Sequence, residues 1–205
     1  MNILIVTATE GEISLLKSGP RGQHTLDVLV TGVGMVATAA RTAQALGRGT
    51  YDLALNLGVC GSFDPAYAPG TVVHVTRDRI SELGCEDGEE FLPIEQLGLG
   101  AEGDVVNTNP PDNRALRELP RVNAITVNTV HGSEQSIAAV LERFRPEVES
   151  MEGAAFAYAC DISDIAYAQV RAVSNIVERR NRKAWKLDVA IRNLNDAAIR
   201  ILDAL

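Results

Sequence analysis

Short apolar runs alternate along this chain with stretches whose apolar residues recur every three to four positions,. The runs cover residues 2–8, 26–31, 53–57, 71–76, 124–130, 147–151 and 166–174 and are rich in Val, Ile, Leu, Ala and Thr. Their length and composition predict buried strands. Residues 35–46 and 134–143 carry the helical spacing, and small residues after Met151-Glu152 predict another helix. At the end, Leu187, Ala190, Ile191, Leu194, Ala198, Ile201, Leu202 and Leu205 fall on one helical face,. Strands separated by helices predict an α/β fold, one domain over residues 1–205 with a central mixed sheet flanked by helices,. Residues 81–113 break the alternation: they are rich in acids, Gly and Pro and hold no Lys or Arg. This stretch reads as a solvated excursion between sheet elements, with a lid beside a site as the other reading.

Composition narrows the class further. The 205 residues are 46% hydrophobic and 22% charged, a globular profile,. A net charge of −8 argues against a chain held by its charge on nucleic acid or an anionic membrane,. Cys60, Cys85 and Cys160 are far apart with no CxxC pair, so neither a disulfide framework nor a metal site is expected,. No apolar run approaches the ~18 residues of a membrane span. The opening MNILIVTATEGE has no basic leader and reads as a first strand, so a cytoplasmic protein is expected,.

Two Gly-bearing segments and three polar clusters carry the candidate chemistry. Residues 32–37 satisfy G-x-G-x-x-A, the dinucleotide fingerprint,. They follow the second predicted strand, however, and Asp52 opens a strand where the fingerprint wants an acid that closes one,. No cofactor is expected; these glycines let a helix start pack closely and leave amides facing a small ligand. The segment NLGVCGS (residues 56–62) follows a strand and reads as a turn that a ligand can approach closely,. Glu10 and Glu12 follow the first strand, and Met151-Glu152 and Ser174-Asn175 follow later ones. Open α/β sheets bind ligands at the carboxyl ends of strands, so four strand ends converge on one predicted pocket.

In this order, ATEGE, TGVGMVATA, NLGVCGS, VESMEG and VRAVSN resemble the nucleoside phosphorylase and nucleosidase superfamily over nearly the whole chain. The ending SNIVERRNRKAWKLDVAI resembles more specifically its futalosine hydrolases. The resemblance implies a cofactor-free homo-oligomeric N-ribosyl hydrolase. Its substrate would be futalosine, cleaved by water to hypoxanthine and dehypoxanthinyl futalosine in an alternative route to menaquinone. Such a reaction builds positive charge on the sugar and pushes electrons into the purine. It needs a base for water, a ligand for the ribose and a donor at the purine.

The resemblance implies that Glu12 activates water, Glu152 grips the ribose and Met151 packs on the sugar. Arg171 would help place the water, with Gly58, Val59 and Ser174 beside the ligand. Plainer readings stand next to these: Glu12 and Glu152 as acids of a first helical turn, Met151 as core, Arg171 as a structural ion pair. Adenosine-type relatives carry Asp where Asn175 stands. Hypoxanthine presents a carbonyl oxygen there, to which an amide NH₂ can donate while the amide oxygen accepts from a protonated N7; the alternative is that Asn175 only caps the following segment. Superfamily phosphorylases hold phosphate with an Arg and a Ser around NLGVCGS. Leu57 and Val59 stand in those places, which favours water as the nucleophile,.

Arg179, Arg180, Arg182, Lys183 and Lys186 form either a solvated basic run or a clamp for the benzoate carboxylate. Arg179 and Arg182 lead the second reading, with Trp185 near the aromatic ring. Two departures from the adenosine-type pattern remain. Ser150 replaces an acid, and residues 132–135 offer no aromatic to stack on the purine, which leaves Phe156 and Phe63 as candidates. His131 reads as structural. The rival functions are a methylthioadenosine/S-adenosylhomocysteine nucleosidase and a purine-nucleoside-binding module without catalysis.

Overall fold

The computed structural model describes residues 1–100 and 102–205. In chain order it contains β1 (Asn2–Thr7), a 3₁₀ turn (Glu10–Ile13), β2 (Gly19–Arg21), β3 (His24–Val30), α1 (Met35–Arg48) and β4 (Leu53–Ser62). There follow β5 (Val72–Ile80), β6 (Gly84–Asp87), β7 (Glu90–Pro93), β8 (Asp104–Val106), α2 (Arg114–Arg117), β9 (Arg121–Thr126) and α3 (Glu134–Phe144). The chain closes with β10 (Val148–Ser150), α4 (Gly153–Asp161), β11 (Tyr167–Ile176) and α5 (Leu187–Asp203).

Among the described residues, nine strands form one mixed sheet in the order β10-β9-β5-β11-β4-β1-β3-β2, with β8 paired to β5. Strand β1 shows why helices cover both faces. Ile3 and Ile5 pack with Leu53, Leu55, Leu194 and Ile201, on the side of α5. Leu4 and Val6 point the other way, onto Phe156, Ala157 and Cys160 of α4. Alternate residues serve opposite layers, so the strand is apolar throughout.

Strand β4 runs five residues beyond its predicted end at Leu57, through the glycines read as a turn. Its far end also pairs antiparallel with β10, Glu149 opposite Gly61. That pairing closes β4, β11, β5, β9 and β10 into a small barrel,. The acidic excursion is neither purely irregular nor over the pocket. It forms the β6–β7 hairpin and β8, and Phe91 packs edge-on against Phe144 of α3. Ala101, within it, lies outside the described residues. Among the described residues, no helix is long and apolar enough to cross a membrane.

Candidate active site

The predicted strand ends do meet, around a cavity of about 380 Å³ lined by Glu12, Val59, Glu149, Met151, Glu152 and Asn175 among others. That size suits a small ligand. Glu12 sits on the turn after β1 and is buried. Thr9 N–H, Thr9 Oγ1 and Thr7 Oγ1 donate to its Oε2 at 2.9, 3.1 and 3.1 Å, and Val59 N–H donates to Oε1 at 3.1 Å. Asn195 of α5 braces this turn: its Nδ2 donates to the Glu12 carbonyl at 2.9 Å, and its Oδ1 accepts from Leu15 N–H at 3.2 Å. A carboxylate held from two strands and its own turn, on a backbone that α5 braces, has little freedom to leave the cavity wall.

Glu152 stands at the start of α4, also buried. Its Oε1 accepts from Gly34 N–H at 3.1 Å and its Oε2 from Met151 N–H at 3.3 Å. The G-x-G-x-x-A segment therefore turns the Gly34 amide to a carboxylate. Gly34 does so at φ +101°, a conformation open mainly to glycine,. Met151 lines the cavity and packs towards Ile125, Val127 and Val140.

Two predicted residues lie beneath the cavity wall instead of on it. Arg171 is 1% exposed. Its Nε donates to Gln169 Oε1 at 3.0 Å, its Nη2 donates to Asn56 Oδ1, and its Nη1 lies 3.6 Å from Glu152 Oε2. It does not line the cavity, so any influence on water passes through Glu152 and its neighbours. Gly58 pairs with Arg171 across β4 and β11. A β-carbon there would fall 2.2 Å from Arg171 Nη1 and 3.1 Å from Glu12 Oε1. The missing side chain makes room for the guanidinium, not for a ligand.

At the other end, the β4–β11 register shifts between Val173 and Asn175, a bulge at Ser174,. The Ser174 hydroxyl faces the Cys60 carbonyl at 3.1 Å and Asn175 Oδ1 at 2.8 Å, while Asn175 Nδ2 donates to the Ile176 carbonyl at 3.0 Å. Both residues line the cavity. So does Cys60, whose thiol burial pushes up to about 12, against the charge of Arg171, leaving it inert,.

Several expectations need correction. Phe156 is fully buried in α4 and cannot reach a ligand, and Phe63 packs edge-on to His131 without lining the cavity. Arg179 and Arg182 are exposed and line neither this cavity nor the smaller one of about 80 Å³ beside it. Arg180, 6.0 Å from the Trp185 ring centre, lines the smaller cavity, and Trp185 lines both. Glu149 escaped sequence reasoning. It is an acid in mid-strand, 4% exposed, with His131 Nδ1 2.6 Å from its Oε2. A charged residue between Val148 and Ser150, in the middle of a short strand just before Met151-Glu152, was the available signal,.

The sequence profile of the phosphorylase superfamily matches residues 2–205. Futalosine hydrolase of Acidothermus cellulolyticus is 34% identical over 219 residues, covering 95% of this chain and 87% of its own. Futalosine hydrolase of Streptomyces coelicolor is 34% identical over 189 residues, covering 87% and 79%. Among solved structures, futalosine hydrolase of Helicobacter pylori superposes with a TM-score of 0.83 at 14% identity, covering 100% of this chain and 98% of that one. A methylthioadenosine/S-adenosylhomocysteine nucleosidase of Colwellia psychrerythraea, solved with adenine, gives 0.83 at 21% identity, covering 100% and 96%. Those two likenesses speak for the fold, and the two sequence relatives for the branch. From profile and relatives together, the chain belongs to the phosphorylase superfamily and, within it, to the futalosine hydrolases.

Proposed function

We propose that this protein hydrolyses the N-ribosidic bond of futalosine, releasing hypoxanthine and dehypoxanthinyl futalosine for menaquinone synthesis. The observation that carries the choice of water over phosphate is the charge of the cavity wall. Glu12, Glu149 and Glu152 line it, and among the described residues no Lys or Arg does. A phosphate dianion would meet carboxylates with no cation to hold it, whereas water needs only a base.

In this reading Glu12 accepts a proton from the attacking water, and Glu152 binds ribose hydroxyls and offsets the charge growing on the sugar. Met151 packs on the sugar, and Val59, through its amide, keeps Glu12 aimed. Ser174 orients Asn175, which donates to O6 and accepts from N7–H as the base leaves. Trp185, which lines the main cavity, is the ring beside which the benzoate end would lie. The enzyme would act in the cytoplasm as a homo-oligomer; the exposed Val33, Val36, Tyr158 and Ile162 around α1 and α4 supply apolar surface for such contact,.

The test is an assay of purified protein on futalosine, its 6-amino counterpart, methylthioadenosine and inosine, with and without phosphate. Hypoxanthine should appear from futalosine at a rate phosphate does not change. A sugar 1-phosphate among the products would overturn the hydrolase, and preferential cleavage of methylthioadenosine would overturn the substrate.

A further inference from the structure

Three strands bring two polar side chains to one glycine. Gly61 on β4 has Glu149 opposite it on β10 and Asn175 opposite it on β11. Residues opposite one another on paired strands project to the same face. With no side chain on Gly61, the two stand on either side of its α-carbon. A β-carbon there would lie 2.9 Å from Val177 Cγ2, 3.4 Å from Asn175 Nδ2 and 3.5 Å from Glu149 Cγ. Both line the main cavity and the smaller one beside it.

Their orientation is set. The Ile176 carbonyl can only accept, so it fixes Asn175 with Nδ2 on the Gly61 side and Oδ1 towards Ser174,. Glu149 is held by His131: the backbone N–H lies 3.2 and 3.4 Å from the two carboxylate oxygens, and Nδ1 lies 2.6 Å from Oε2. A carboxylate has about four acceptor positions, so these contacts leave capacity on the cavity side. Around Gly61 the groups therefore run amide oxygen, amide NH₂, carboxylate: acceptor, donor, acceptor.

Resting on the reading that the purine lies against Asn175, we infer that Glu149 is a specificity-determining residue that accepts the N1–H of a 6-oxopurine. As it leaves, hypoxanthine presents N7–H, O6 and N1–H along one edge: donor, acceptor, donor. All three match. Adenine presents N7–H, an amino group and the N1 lone pair. Its amino hydrogens meet the Asn175 NH₂ and its N1 lone pair meets the Glu149 carboxylate, so two of the three positions clash. Asn175 cannot relieve this by rotating its amide without breaking its bond to Ile176. His131 is the positioning residue that keeps Glu149 in place. A site that hydrogen-bonds one base rejects its mismatched analogue far more strongly than apolar contact can.

The experiment is calorimetric binding of hypoxanthine and adenine to the full chain and to Glu149→Gln, together with turnover of futalosine and its 6-amino counterpart. The neutral amide keeps the shape, so the preference for hypoxanthine over adenine should fall by about 10–100-fold, the scale of one charged hydrogen bond. A folded Glu149→Gln protein in which both bases weaken equally would show that Glu149 only braces the His131 loop, and would overturn the inference. Binding of 1-methylhypoxanthine, which lacks N1–H, to the unaltered protein gives an answer that does not depend on the variant folding. It should be at least 10-fold weaker than hypoxanthine, and equal affinity would overturn the inference. Failure of the unaltered protein to cleave futalosine, with the hypoxanthine preference intact and lost in Glu149→Gln, would sink the proposed reaction while sustaining this reading of the base.

Discussion

Glu12 stands out because four donors from β1, its turn and β4 fix one carboxylate on the cavity wall. Glu12→Gln preserves the volume but removes the base, and the amide NH₂ must face donors that now have no acceptor. Turnover should fall by roughly 10²–10⁴-fold while the circular dichroism of the folded protein is retained. Wild-type rates in the folded variant would exclude Glu12 from the chemistry. Asn175 makes a narrower prediction. In Asn175→Asp a carboxylate oxygen replaces the NH₂ that faces O6 and also meets the Ile176 carbonyl. Turnover of 6-oxopurine nucleosides should weaken by roughly 1–3 kcal/mol in kcat/KM, and the ratio of 6-amino to 6-oxo substrate use should rise. An unchanged ratio would leave Asn175 as a cap.

Between elements, the decisive feature is the extension of β4 through Gly58 and Gly61. A strand here, where a turn was expected, lets β11 lie alongside and slide Arg171 under Gly58. The pairing puts a buried cation directly behind two buried carboxylates, Glu12 and Glu152. Gly58→Ala adds one methyl where the guanidinium sits, and Arg171 cannot retreat without losing Asn56 and Gln169. Overpacking of this kind costs about 1–3 kcal/mol. Chemical denaturation should show that loss, and kcat should drop with it because Glu12 and Glu152 shift together. Equal stability and activity in Gly58→Ala would mean that the strand yields there. The segment before α5 is tied down in a comparable way: Lys186 N–H donates to the Ser174 carbonyl at 2.8 Å, which sets Trp185 beside the bulge that carries Asn175.

For the molecule as a whole, two buried groups on β5 tilt stability with pH in opposite directions. Burial raises the Asp78 carboxyl to about 6, against hydrogen bonds from Gln169 and Thr126 and the charge of Arg171. Burial, with the nearby Arg121 charge, lowers His74 to about 4. Between pH 4 and 6 the folded state holds the Asp78 proton that the unfolded chain has lost, so this contribution to stability falls as pH rises,. Between pH 4 and 6.5 the unfolded chain protonates His74 while the folded state does not, so this contribution rises with pH,. Each spans about 3 kcal/mol at ~1.4 kcal/mol per pKa unit, and the two oppose one another. In Asp78→Asn the His74 contribution is unopposed, and stability should climb more steeply from pH 4 to 6.5 than in the wild type. His74→Phe should reverse the slope. Denaturation midpoints across this range check both, and parallel profiles for all three proteins would remove these groups from the linkage.

The fold class, strands β1, β3, β4, β5, β9, β10 and β11 and helices α1, α3, α4 and α5 were legible in the sequence, because each depends on local periodicity, whereas β2, β6, β7, β8 and α2 were not. Alternation along β1 and the apolar face of α5 are properties of neighbouring residues; Glu12, Met151 and Glu152 stand where strands give way to turns or helices, and Ser174 and Asn175 stand at a bulge near the end of β11. What the sequence could not supply was the set of neighbours made by pairing between distant strands. That β4 is one strand from Leu53 to Ser62, that Arg171 fills the space over Gly58, and that Glu149 and Asn175 share Gly61 follow from registers joining segments about 90 to 115 residues apart,. The same holds for Phe156 and Phe63, aromatic and suitably near in sequence, yet turned into the core and onto His131. Periodicity assigns a side chain to a face of its own element; the closure of β10 onto β4 decides which faces form the cavity.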